Sequence, residues 1–260
     1  MLKILKYSIF DLMRSRWTYI YCGFYLLLTM SFFWLSTDLS KTIISLMNVI
    51  LVLIPLIATM FGVMYFYNSR EFAELLLAQP IKRIHIFLGQ YLGVAISLSL
   101  SLLIGVGAPF IFYGVFGSGE IWNYMVLLMV GVFLSFIFSA IAFYIALKNE
   151  NRIRGFGLAI LAWLFFAIIY DGLFLLALAG FSDYPLESFA MGASFFNPID
   201  LSRILILLKL DVSALMGYTG AVFQKFLGSS IGISVAILSL FFWVLLPTFG
   251  IYRASVRKDF

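Results

Sequence analysis

Few residues in this 260-residue chain could do chemistry, and most of them stand alone. There is one histidine and one cysteine. Cys22 lies in an apolar run beside Gly23, so neither an intrachain disulfide nor a cysteine-based metal site can form from it. His85 stands near Arg83 in a polar stretch, where a surface or lipid-headgroup role fits better than catalysis, and Ser-His-Asp chemistry inside the apolar runs has no histidine to use. No G-x-x-x-x-G-K-[ST] loop is present to cradle nucleotide phosphates, and neither H-E-x-x-H nor G-x-S-x-G occurs. Any ATP-driven work needs another subunit to bind ATP and its magnesium.

Asp171 is the one acidic residue well inside an apolar run, in Ala167-Ile168-Ile169-Tyr170-Asp171-Gly172-Leu173. A carboxyl in hydrocarbon is costly unless it faces a bundle interior, pairs, or takes up a proton, so Asp171 is the first candidate for an intramembrane function. A helix-packing hydrogen bond, or a register that lifts it to the far surface, is the structural alternative. Met60 with Met64, and Met125 with Met129, are i, i+4 pairs that could be drawn as soft copper ligands. Methionine is also ordinary filling in apolar helices, and ligand sites gather more than two sulfurs, so no metal ligand is assigned.

The elements that must position these residues follow from composition. Hydrophobic residues make up 63% of the chain and charged ones 11%, with a mean hydropathy of +1.08. Soluble domains are roughly half apolar, and a water-soluble fold of this length could not hide the excess. Crossing ~30 Å of hydrocarbon takes about 20 helical residues, because lipid offers the backbone no partner but itself. Six stretches qualify, at residues 17–36, 42–67, 86–116, 121–147, 155–180 and 229–252. The third is long enough that its first turns, or the part beyond Pro109, are expected to lie outside the membrane core. The first follows a basic start but exceeds a signal-peptide core and lacks a small-x-small cleavage site, so it is read as a retained helix. The fold class is all-α integral membrane, one transmembrane domain over 1–260.

The net charge of +5 does not form a nucleic-acid patch, because the basic residues sit in short clusters between the apolar runs. They set topology instead. With the N-terminus in the cytoplasm, Lys3, Lys6, Arg14, Arg16, Arg70, Lys82, Arg83, Lys148, Arg152, Arg154, Arg253, Arg257 and Lys258 are cytoplasmic. Only Lys41, Arg203, Lys209 and Lys225 then lie across the membrane.

Three segments outside the spans carry pattern. Leu2, Leu5, Ile9 and Leu12 fall on one face of a helix over residues 2–16, which reads as an interfacial helix on the inner leaflet, or as the polar lead-in of the first span. Glu71, Phe72, Glu74, Leu75, Leu76 and Leu77 before Pro80 form an acidic-then-apolar turn, a short amphipathic helix. In 181–228, read as a far-side helical region, Asn197 and Pro198 form an N-cap and first-turn proline with Asp200 favourable at the helix start. Leu201, Ile204, Leu205 and Leu208 then recur at helical spacing, giving an apolar face that must lie on lipid, on the spans or on a partner. Gly89, Gly93, Ser97, Ser101 and Gly105 form a small-residue stripe along the third span that lets another helix approach closely.

The stretch Ser69-Arg70-Glu71-Phe72-Ala73-Glu74-Leu75-Leu76-Leu77-Ala78-Gln79-Pro80-Ile81-Lys82-Arg83, followed by Ile86-Phe87-Leu88-Gly89-Gln90-Tyr91-Leu92-Gly93, resembles the segment between the second and third spans of ABC-2 type transporter permeases. There an acidic residue, Leu-Leu, a proline and a basic residue precede an L-G-[KQ]-x-x-G start of the third helix. The Gly-Thr common ahead of the glutamate is absent, with Glu71 and Phe72 in its place. Trp163-Leu164-Phe165-Phe166-Ala167-Ile168-Ile169-Tyr170-Asp171 and Asn197-Pro198-Ile199-Asp200-Leu201-Ser202-Arg203-Ile204-Leu205 are similar to the NosY-type branch, the permeases of the copper-enzyme maturation transporter associated with nitrous oxide reductase.

The resemblance implies a multi-pass protein of the bacterial inner membrane that forms a homodimer. It would work with two cytoplasmic ABC ATPase subunits and a periplasmic β-helical copper-handling protein. The segment with Glu71, Phe72, Glu74, Leu75 and Gln79 would be the coupling helix seated in the ATPase. Asn197, Asp200 and Arg203 would shape an outer platform for the periplasmic partner, and Asp171 matches an aspartate of the family's fifth span. The implied work is mechanical transmission for maturing the copper sites of nitrous oxide reductase, with no cofactor in this chain. An ABC-2 exporter of a lipid, polymer or peptide is the rival within transport, and a non-transporting membrane scaffold the rival outside it.

Overall fold

A computed structural model describes residues 1–36, 38–181, 187–210 and 230–257, all of whose regular structure is helical. Lys225 and Lys258, named above for topology, lie outside these residues. In chain order the helices are α1 (Leu2–Arg14), α2 (Arg16–Leu35), α3 (Leu39–Asn68), α4 (Arg70–Leu77), α5 (Arg83–Phe112), α6 (Ile121–Lys148), α7 (Arg152–Leu164), α8 (Tyr170–Gly180), α9 (Glu187–Phe195), α10 (Pro198–Lys209) and α11 (Ser230–Arg257). Six are long and apolar enough to cross a membrane, with α7 and α8 together making the fifth, so the chain is a multi-pass membrane protein.

Two boundaries differ from the sequence reading. The third span stops at Phe112, not 116, because Gly114 takes a left-handed φ of +76° and a 3-10 turn, Val115–Gly117, folds the chain over. The fifth span is not one regular helix. Phe165–Ile169 form a π-helical turn between α7 and α8, with the backbone bonds displaced by one residue.

The bundle has an inside and an outside. Sixty-seven per cent of the apolar window of α5, and the same share of α6, is buried, against 6% for the fifth span, so α5 and α6 form the centre and α7–α8 the periphery. Peripheral faces expose large apolar side chains such as Trp34, Leu176 and Leu238, a surface that only lipid or protein can cover. Some hydroxyls inside the spans close on their own helices: Ser99 donates to the Ala95 carbonyl at 2.7 Å, Ser135 to Gly131 at 2.9 Å, and Thr59 to Pro55 at 2.6 Å. That satisfies the polar group without a partner from lipid.

The ends of the bundle differ in charge. Tyr67 donates to the Asn149 carbonyl at 2.8 Å, Gln90 to the Ser69 hydroxyl at 3.2 Å, and Lys148 and Arg253 line one groove. These contacts gather the end of α3, the start of α5, the end of α6, the start of α7 and the end of α11 at one pole. Arg70, Lys82, Arg83, Lys148, Arg152, Arg154 and Arg253 collect there, and we refer to it as the basic pole.

Candidate functional site

Asn197 caps α10 as its sequence dictates: its side chain accepts from the Ile199 amide at 3.0 Å, with Pro198 filling the first helical position, where no backbone N–H is needed. α9 and α10 bend through 112° about this point. Neither helix rests on an outer surface. Trp243, midway along α11, donates its indole N–H to the Phe195 carbonyl at 3.0 Å, and Asn197 donates Nδ2 to the carbonyl of Phe166, midway along the fifth span, at 2.9 Å. The turn between α9 and α10 therefore sits at the depth of the middle of the spans, like the tip of a re-entrant hairpin. Within 181–228, read from the sequence as one extramembrane region, α9 and α10 thus pack into the bundle, and residues 182–186 and 211–228 lie outside the described residues. The apolar residues of α10 are covered by the spans themselves: Leu201, Ile204 and Leu205 are buried, with α10 against α3, α6 and α11.

The π-helical turn is what makes the junction possible. A regular helix would bond the Phe166 carbonyl to the residue four positions on, whereas the displaced pattern leaves it directed at Asn197. Tyr170, the first residue past that turn, donates its hydroxyl to the Ala193 carbonyl of α9 at 2.6 Å. Irregular backbone at membrane depth survives only where protein covers it, and here α9 and α10 do so.

Asp171 follows directly. Its Oδ2 accepts from Arg203 Nη1 at 3.0 Å, the same guanidinium nitrogen donates to Asp200 Oδ1 at 3.2 Å, and Asn197 Nδ2 donates to Asp200 Oδ2 at 3.0 Å. One guanidinium thus bridges two carboxylates from different helices, and the Asn197 amide serves the other oxygen of Asp200. Asn197 is fully buried and Asp200 nearly so, while Arg203 and Asp171 are about a third exposed. The platform residues of the sequence reading are turned toward Asp171 and the spans. Together they form a polar clasp that ties the fifth span to α10.

At the basic pole, α4 is the amphipathic helix expected from its sequence. Glu71, Glu74, Leu75 and Gln79 face outward, Leu75 being 69% exposed, and Arg70 Nε pairs with Glu74 Oε1 at 3.0 Å across one helical turn. Phe72 turns inward and stacks on Tyr7 of α1, ring centroids 4.7 Å apart, and Ala73 is buried. The half of α4 left open is thus acidic with one large apolar residue at its centre.

α1 buries Ile4, Ser8 and Leu12 in the protein, while of the face read as interfacial Leu2 is 79% exposed and Leu5 and Ile9 are half-buried. The face is set by α5. A Cβ on Gly89 would come 3.0 Å from Ile4, one on Gly93 would collide with Ser8 Cβ, and one on Gly105 would lie 2.7 Å from the Cys22 carbonyl of α2. Ser101 donates to the Ser97 carbonyl at 2.9 Å. The small-residue stripe is therefore filled from within the chain, by α1 near the basic pole and α2 beyond it.

The two methionine pairs stand on different helices, Met60 on α3 toward the basic pole and Met125 on α6 toward the other, each partly exposed. Among the described residues no three His, Cys, Asp or Glu side chains gather as a metal site. Sequence reasoning missed Tyr170 and Trp243, which donate to the Ala193 and Phe195 carbonyls of α9, and Trp163, which donates to the Val52 carbonyl of α3 at 3.1 Å on the outer face of the bundle. The available signal was a polar-tipped aromatic in mid-span, which needs a partner when buried.

No protein-family model matches the chain. It is 26% identical over 277 aligned positions to the "Probable ABC transporter permease protein NosY" of Stutzerimonas stutzeri, covering 96% of each chain. It is also 26% identical over 239 positions to the protein of the same name in Pseudomonas aeruginosa, covering 82% of this chain and 84% of the relative. Along most of its length, then, this multi-pass chain is similar to proteins named as probable ABC transporter permeases.

Proposed function

We propose that this chain is the permease subunit of an ABC transporter, coupling ATP hydrolysis in a separate cytoplasmic ATPase to a partner on the opposite side of the membrane. The observation that carries the reading is α4, whose exposed Glu71, Glu74 and Leu75, with Gln79 in the turn after it, face away from the bundle while Phe72 seats it on Tyr7. The similarity to proteins named as NosY permeases supports it.

The mechanism is transmission. A pair of ATPases that binds ATP and magnesium closes and pushes α4. The push passes through the Phe72–Tyr7 stack to α1, and through Ile4 and Ser8 to the close-packed Gly89 and Gly93 of α5, at the bundle's centre. Close-packed helices move as rigid bodies between discrete arrangements, so such a switch needs no reaction centre in this chain. The clasp around Arg203 holds the re-entrant pair to the fifth span, and the motion leaves through residues beyond it. In this reading the protein is a homodimer of the bacterial inner membrane with the basic pole in the cytoplasm. Its periplasmic partner is a β-helical copper-handling protein, and the work serves the copper sites of nitrous oxide reductase.

The deciding experiment is mild detergent extraction of the C-terminally tagged protein from its native membrane, with mass spectrometry of what accompanies it. A P-loop ATPase together with a periplasmic β-helical protein supports the full reading. An ATPase alone leaves a lipid, polymer or peptide exporter, and neither partner removes the transporter reading.

A further inference from the structure

Between α6 and α11 the bundle opens into a groove of about 890 Å3. That is near the upper end of ligand pockets, about 300–1,000 Å3. Its walls are apolar, among them Ile141 and Leu147 of α6 and Leu246 and Pro247 of α11, and Phe166 and Trp243 close its far end at mid-span. Gly250 sets how closely its walls approach, since a Cβ there would lie 2.9 Å from the Tyr144 ring of α6 and would force α11 away from it.

The other end is charged. Lys148 and Arg253 line the mouth at the basic pole, both exposed, and Glu150 lines it with them. Each cation lies against an aromatic face, Lys148 Nζ 4.6 Å from the Tyr144 ring and Arg253 5.2 Å from that of Phe249. From Trp243 to Arg253 the wall follows about ten helical residues, a rise of about 15 Å. One leaflet of a ~30 Å hydrocarbon core is as deep.

An apolar slot one leaflet deep, opening at the pole where the span ends meet water and carrying two cations at that opening, has the layout of a phospholipid. We propose that it seats one anionic phospholipid, acyl chains along Ile141, Leu246 and Pro247 and phosphate between Lys148 and Arg253. Glu150 offsets one of the two positive charges, which matches a headgroup with a single negative charge. The occupant is in the cytoplasmic leaflet if the orientation given under the proposed function holds; the site itself depends only on the chain's being embedded in a bilayer.

The test is native mass spectrometry of the full chain, delipidated in mild detergent and titrated with phosphatidylglycerol or phosphatidylcholine. Phosphatidylglycerol is expected to be retained about tenfold more strongly, since each basic residue near a membrane surface contributes on the order of 1 kcal/mol toward anionic lipid. The preference should vanish in Lys148→Gln/Arg253→Gln and persist in Lys3→Gln/Lys6→Gln, which removes equal charge from α1. Leu246→Trp, at a half-exposed wall position, keeps the charges and fills the slot, and should lower retention of both lipids. Equal retention of the two lipids by the native chain overturns the proposal, as does a preference untouched by the Lys148/Arg253 pair. So does a Leu246→Trp variant that changes only the oligomeric state, which would assign the groove to a second copy of the chain. None of these readouts involves an ATPase, so the permease reading stands or falls separately.

Discussion

Arg203 Nη1 lies 3.0 Å from Asp171 Oδ2 and 3.2 Å from Asp200 Oδ1, so a single guanidinium joins the fifth span to the re-entrant pair. Removing it strands two carboxylates amid apolar helices. Breaking a fully buried pair costs about 3–5 kcal/mol, and partial exposure of Arg203 and Asp171 screens this one, so Arg203→Ala is expected to cost about 2–3 kcal/mol. Thermal unfolding in detergent reads the loss. Asp171→Asn keeps an acceptor and should cost less than Asp171→Leu; equal losses would mean that the Arg203 bond contributes nothing. If Asp171→Asn keeps full function in the cell, the residue is structural.

Asn197 serves three partners, the Ile199 amide, the Phe166 carbonyl and Asp200. Asn197→Ala removes a helix cap and two further bonds, which predicts a loss of about 2 kcal/mol. Hydrogen exchange should quicken first at the start of α10 and in the Phe165–Ile169 turn. Faster exchange confined to other helices would refute the link between the cap and the π-helical turn.

Gly93 meets Ser8 so closely that any side chain there must push α1 away. Gly93→Val is expected to destabilise the chain by about 1–3 kcal/mol through overpacking. Adding Ser8→Gly should recover part of it. An unchanged melting temperature in the single variant would show that α1 does not dock on α5.

Glu74 and Leu75 stand on the open face of α4. Leu75→Ala and Glu74→Lys should each lower recovery of the ATPase subunit in co-purification by about tenfold, the scale of an interface anchor. The chain itself should melt as before, because neither side chain is buried. Unaltered recovery would place ATPase docking elsewhere.

Orientation is open to chemical labelling, since Cys22 is the sole cysteine. In a Cys22→Ser background, Lys41→Cys should react with an impermeant maleimide added outside intact cells, and Arg152→Cys only after lysis. The reverse pattern would put the basic pole outside and overturn the topology.

How much of this was legible in the sequence depends on the range of the interaction. The six spans could be read because crossing hydrocarbon is a local demand, a run of apolar residues at a set rise per residue, and all six lie within a few residues of expectation. The Asn197–Pro198 start of α10 and the amphipathic α4 were legible for the same reason, since caps and helical faces involve residues within one or two turns.

What the spacing could not reveal was where those faces point. The apolar face of α10 was plain, yet only packing decided that it meets α3, α6 and α11 and carries Asn197 to mid-span. α1 buries Ile4 and Ser8 because Gly89 and Gly93 open a notch for them some eighty residues downstream. Asp171 was conspicuous as a charge in an apolar run, but its partner Arg203 stands 32 positions away and reads as a surface residue of another helix. Composition and spacing along the chain determined which segments enter the membrane. Tertiary structure decided which polar groups meet there, because a side chain in hydrocarbon is satisfied by whatever lies across from it, and that is set by packing between helices rather than by order within one.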